Sequence, residues 1–77
     1  MNYYNDLMII KSNLLHGEIT KIARLLGIHR TTVVRALDGW SDRTDIVECA
    51  VDVINERRKK KDNAVRKMEE LRKILTQ

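Results

Sequence analysis

Between residues 29 and 35 the chain places His29, Arg30, Thr31, Thr32, Val34 and Arg35 within two turns of a potential helix. An arginine fork can donate two parallel hydrogen bonds to guanine O6 and N7, or it can clamp a phosphate. A threonine hydroxyl can bond a base edge or a phosphate, and its methyl can meet the methyl of thymine. These residue types suit recognition better than bond making. No nucleophile–base pair and no glycine-rich phosphate loop is readable. His16, His29 and Cys49 do not stand at metal-ligand spacing. An enzyme is therefore not expected, and no cofactor or metal is implied.

Such side chains need a rigid element behind them. Val33, Ala36 and Leu37 form one face of a helix over about Arg30 to Asp38. That leaves Arg30, Thr31, Val34 and Arg35 outward, with Thr32 at the flank. Val34 fits either a thymine-methyl contact or a tolerated exposed valine. The preceding helix, about Glu18 to Leu26, has Ile19, Ile22, Ala23 and Leu26 at helical spacing. Ala23 is small enough for a close crossing, and Gly27 permits a positive φ four residues later. Ile28 and Val33 then fill the space between the helices, while Ile22, Leu26 and Leu37 anchor them on the core. Together these positions specify a helix-turn-helix over Gly17 to Leu37. His29, in the N-cap position of the second helix, and Thr20, in the first turn of the helix before it, lie where phosphate oxygens bind favourably. Lys21 joins them as a basic residue.

The string Gly17-Glu-Ile-Thr-Lys-Ile-Ala-Arg-Leu-Leu-Gly-Ile-His-Arg-Thr-Thr-Val33 resembles the helix-turn-helix of Fis-type and enhancer-binding bacterial regulators. Its second half, continued to Gly39, is also similar to lactose-repressor-type and phage-repressor-type domains. The resemblance implies DNA contacts by Arg30, Thr31 or Thr32, and Arg35. The large effector domain of the lactose-repressor type is missing, so no small-molecule effector is evident. Unlike Fis-type proteins, the chain runs on past the motif.

A first helix from about Tyr3 to Leu15 completes a three-helix domain over residues 1–41. Tyr3, Leu7, Ile10 and Leu14 form its stripe, widened by Met8 and Leu15, with Asn2 as N-cap and His16-Gly17 as its end. Gly39 closes the recognition helix, and Trp40 just beyond it is expected as a core plug or lid in preference to a base-stacking residue.

Residues 42–77 form a second region. Ser41 or Asp42 can cap a helix there, and Asp42, Asp45 and Glu48 suit the positive end of its dipole. Val47, Ala50, Ile54, Arg57, Lys61, Ala64, Met68, Leu71 and Leu75 are spaced alternately by three and four. That is a heptad-like seam with two charged interruptions. Glu56 to Lys60, Asp62 to Arg66 and Glu69 to Lys73 offer i, i+4 pairs. One helix from about Thr44 to Leu75 is favoured over two helices broken near Asp62-Asn63. Met68, Leu71, Ile74 and Leu75 are the expected homodimer interface, and packing of this face on the first helix is the alternative.

The 77 residues carry a net charge of +4 and include no proline. Their composition is all-α, and a core this small benefits from oligomerisation. Residues 18–40 hold four basic and two acidic side chains, and residues 57–77 hold nine and three. Basic surface of this kind attracts phosphate. The run Arg57 to Lys61 can touch flanking phosphates or an acidic partner, or it can be a solvated face. Cys49 cannot form an internal disulfide and is expected as a buried small hydrophobe. No signal peptide, membrane span or lipidation motif is visible, so the expected compartment is the cytoplasm. The leading expectation is a dimeric, sequence-specific, double-stranded-DNA-binding regulator of bacterial or phage type. An architectural or recombination-associated DNA-binding protein, and a basic helical protein–protein adaptor, are the alternatives.

Overall fold

The computed structural model describes residues 3–76. It is all-α: α1 spans Tyr3–Asn13, α2 Glu18–Leu26, α3 Arg30–Leu37 and α4 Thr44–Leu75. The proposed N-cap of α1, Asn2, lies outside the described residues. Among the described residues no helix is long and apolar enough to cross a membrane.

The core is where the two short helices meet the start of α4. Ile22 and Ala23 of α2, Val33, Ala36 and Leu37 of α3, and Ile46, Ala50 and Val53 of α4 form one buried cluster. Leu7 of α1 is also buried. Each large aliphatic side chain fully removed from water contributes about 1.5–3 kcal/mol. Ile10, Leu14, Ile19, Leu26, Ile28 and Cys49 pack against the cluster while partly exposed. Burial raises the Cys49 thiol pKa above its ordinary value, and the nearby Asp52 and Asp45 carboxylates add to that.

The first helix is shorter and less covered than its periodicity predicts. It stops at Asn13, and the chain turns over residues 14–17. The Leu15 amide donates to the Glu18 carboxylate at 2.7 Å, which holds Leu15 out of the helix. Of the predicted stripe, Leu7 is buried and Ile10 and Leu14 are half-buried, whereas Tyr3, Met8 and Leu15 are exposed. Gly17 takes φ 89° and precedes the first residue of α2.

The last helix is continuous through Asp62-Asn63, with no glycine or proline to interrupt it. At 1.5 Å per residue it is about 48 Å long. This gives the molecule extents of 56 × 30 × 17 Å and a radius of gyration of 16.5 Å. A compact chain of this length would have about 11–12 Å. The predicted caps Ser41 and Asp42 are not used. Arg43 stands at the N-cap without a side-chain cap bond, and the Thr44 amide is held by the Asp42 carbonyl at 3.1 Å. Arg43 instead pairs with Asp45 through two hydrogen bonds, Nε to Oδ1 at 3.0 Å and Nη2 to Oδ2 at 2.8 Å.

The heptad-like seam divides at Arg57. Above it Val47, Ala50 and Ile54 are covered by the domain; below it every described residue of α4 is exposed. Arg57, expected as a charged interruption, marks the boundary. Its Nη2 donates to the Asn13 carbonyl at 2.6 Å, and its Nε lies 3.4 Å from Glu18 Oε2. The charge thereby satisfies a carbonyl orphaned at the end of α1 and ties α4 to two elements at once. Packing of Met68, Leu71, Ile74 and Leu75 on α1 does not occur. α1 meets α4 around Val51, Ile54 and Arg58, and a helix of 11 residues does not reach further. The three expected i, i+4 pairs are also not formed among the described residues. Exposed pairs of this kind gain too little to hold two long side chains in place.

Candidate nucleic-acid interface

The positioning of α3 depends on two turns of the same kind. At the end of α2, Gly27 (φ 66°) lets its amide reach the Arg24 carbonyl at 3.3 Å and the Ile28 amide reach the Ala23 carbonyl at 3.0 Å. At the end of α3, Gly39 (φ 87°) does the same: its amide donates to Ala36 at 3.1 Å and the Trp40 amide to Arg35 at 2.9 Å. Both are Schellman motifs, which satisfy terminal carbonyls while reversing the chain. The first sets the angle between α2 and α3. The second sends the chain from α3 towards α4.

Between these turns α3 divides cleanly. Val33, Ala36 and Leu37 are buried, and Arg30, Thr31 and Arg35 are exposed. Thr32 and Val34 are half-buried at the edges of the outer face. His29 occupies the N-cap with extended backbone (φ −73°, ψ 146°) and makes no side-chain cap bond. Its imidazole is exposed. Thr20 and Lys21 are exposed in the first turns of α2. The Lys21 charge opposes the rise in the Cys49 thiol pKa.

Thr31, Thr32 and Arg35 line a concavity of about 880 Å³ together with Trp40, Ser41 and Arg43. Val34 is also in its lining. One carboxylate, Asp38, also reaches it. Asp38 is in an ion pair with Lys11 of α1, which compensates its charge and the unfavourable position of an acid at a helix C-terminus. Arg43 holds the Asp45 carboxyl pKa below its ordinary value, mainly through their hydrogen bonds. That pairing uses Nε and Nη2 of Arg43 and leaves the Nη1 donors outside it. Arg30, His29, Thr20 and Lys21 are not among the residues lining the concavity.

Trp40 departs most from the sequence reading. Its ring is 81% exposed and plugs no core. The ring that packs against this turn is Tyr4, itself largely exposed: a methyl group built on Gly39 would lie 2.7 Å from a Tyr4 ring carbon. The Schellman turn carries Trp40 back over Arg35, an outer-face residue, and so onto the side of the predicted DNA contacts. Sequence reasoning also missed Ser41 and Arg43 on that side. The available signal was the cap geometry, because the residue after a Schellman glycine returns over the position five before it.

No protein-family model, curated protein or solved structure matches the chain.

Proposed function

We propose that the protein is a sequence-specific DNA-binding regulator that reads the major groove with α3 and acts as a homodimer. The observation that carries this reading is the outer face of α3. Two arginines and a threonine stand exposed there, backed by fully buried Val33, Ala36 and Leu37. A helix so mounted can enter a groove about 12 Å wide with its donors towards base edges. Arg30 and Arg35 are the side chains for guanine edges or phosphates, and Thr31 and Thr32 for base edges or phosphates. Val34 offers an apolar edge to a thymine methyl. His29, Thr20 and Lys21 are assigned to phosphates.

Support for the dimer comes from the free half of α4. Met68, Leu71, Ile74 and Leu75 are all more than half exposed on the part of α4 beyond Arg57, where every described residue is exposed. A second copy laid along this stripe would cover it and bring a second α3 to the same duplex. The basic surface of α4 adds long-range attraction for DNA.

The test is a fluorescence-anisotropy titration with random-sequence duplexes at low salt, followed by selection of bound sites. Wild type is expected to bind and to enrich a defined site, and the Arg30→Ala/Arg35→Ala variant to lose at least about tenfold in affinity. Equal binding by the two proteins would remove the groove-reading assignment. Binding without enrichment of any site points to an architectural protein. In sedimentation, Leu71→Asp is expected to shift a dimer to monomer without changing helicity.

A further inference from the structure

Trp40 has no structural task that its surroundings explain. A large apolar ring that is 81% exposed covers no core, and it is the chain's sole tryptophan. Its neighbours have a consistent chemistry. The concavity it borders brings together the hydroxyls of Thr31, Thr32 and Ser41 and the guanidiniums of Arg35 and Arg43. The one carboxylate there is compensated by Lys11. Hydroxyl and guanidinium donors around a flat ring suit an anionic strand with apolar sugar faces. They do not suit an apolar peptide, which would leave the donors unpaired.

Position narrows this further. α3 has eight residues, so it is about 12 Å long, close to the width of the major groove. A recognition helix that reads bases with its N-terminal residues leaves its C-terminal end at the groove wall. Trp40 stands at that end, turned back over Arg35 by the Gly39 cap. The wall of the groove is sugar and phosphate.

We propose that Trp40 is a second DNA contact, with its indole lying against the deoxyribose–phosphate strand that borders the groove entered by α3. This rests on the DNA-binding reading of α3. The ring plane covers sugar carbons, and the indole Nε1–H donates to a phosphate oxygen. Ser41 and Arg43 flank the same strand. Such a contact positions the helix in the groove without itself selecting sequence.

The sole tryptophan makes the contact directly observable. Labelled duplex anisotropy reports binding, and acrylamide quenching of Trp40 emission reports the contact, in the same cuvette. On saturation with duplex, the quenching constant of the wild type should fall at least about twofold and its emission should shift to the blue. Trp40→Ala should keep the wild-type circular dichroism and Tm while binding about tenfold more weakly across all sequences. Trp40→Phe, which keeps a ring but no N–H, should lose about threefold. Wild-type binding with unchanged quenching, or with Trp40→Ala equal to wild type, overturns the proposal and leaves the role of α3 intact. No anisotropy change with any duplex defeats the parent reading and this one together. Greater protection of Trp40 from acrylamide by a single strand than by its duplex would overturn the duplex assignment.

Discussion

The two glycine turns that bracket α3 share one hydrogen-bond pattern and have opposite consequences. After Gly27 the chain returns over Ala23, which is buried, and Ile28 is packed, partly exposed, against the core. After Gly39 it returns over Arg35, which is exposed, and Trp40 is left in solvent. A Schellman motif controls where the next residue goes relative to its own helix. Whether that place is inside or outside depends on which face the helix turns to the core. One turn is therefore a packing device and the other a presenting device, although the larger apolar residue sits at the second.

Several substitutions would break or sharpen this contrast. The largest effect is expected at Gly39. Alanine there must adopt a positive φ, at a cost of about 1–2 kcal/mol, and must also displace the Tyr4 ring. Gly27→Ala meets open space and carries the backbone cost alone. Urea unfolding should thus rank Gly39→Ala below Gly27→Ala, by about 1 kcal/mol for lost Tyr4 packing. In a Tyr4→Ala background the two should become equal; if the gap persists, Tyr4 is not its cause.

Next in size is the pair of residues after the glycines. Ile28→Ala removes a side chain packed on the core and should cost about 2 kcal/mol. Trp40→Ala removes a larger side chain and should change stability by no more than about 0.5 kcal/mol. Comparable losses at both sites would mean that Trp40 does brace the fold.

The smallest expected effect is spectroscopic. Because Trp40 is already in water, its emission should barely shift when the protein unfolds, while helical circular dichroism is lost. A large red shift on unfolding would place the ring in an apolar setting in the native state.

Much of this molecule was legible along the chain. The apolar spacing of Ile22, Ala23, Val33 and Leu37 predicts both short helices and their inner faces, and all four residues are buried. The outward set of Arg30, Thr31 and Arg35 follows from the same wheel. Long uninterrupted helical propensity favours one helix from Thr44 to Leu75, as found. The misses have a common origin. Tyr3 belongs to the expected stripe and Met8 to its widening, yet α1 is apolar around much of its circumference, so periodicity could not say which side faces inward; Leu15 lies beyond the end of α1. For Trp40, size and hydrophobicity argued for burial, but the Gly39 turn returns it over Arg35 on the exposed face of α3. Arg57 broke the apolar seam on paper, and in space it serves as the clamp between α4, Asn13 and Glu18.

The sequence by itself determined the helices, their glycine punctuation and the polarity of the outer face of α3, because these depend on neighbours within one or two turns. Tertiary structure alone decided three other matters. It placed Trp40 beside Arg35 and Arg43, it joined Arg57 to the end of α1, and it ended the cover over α4 at residue 57. Each depends on which residue, distant in the chain, reaches a shared space first, and local periodicity carries no information about that competition.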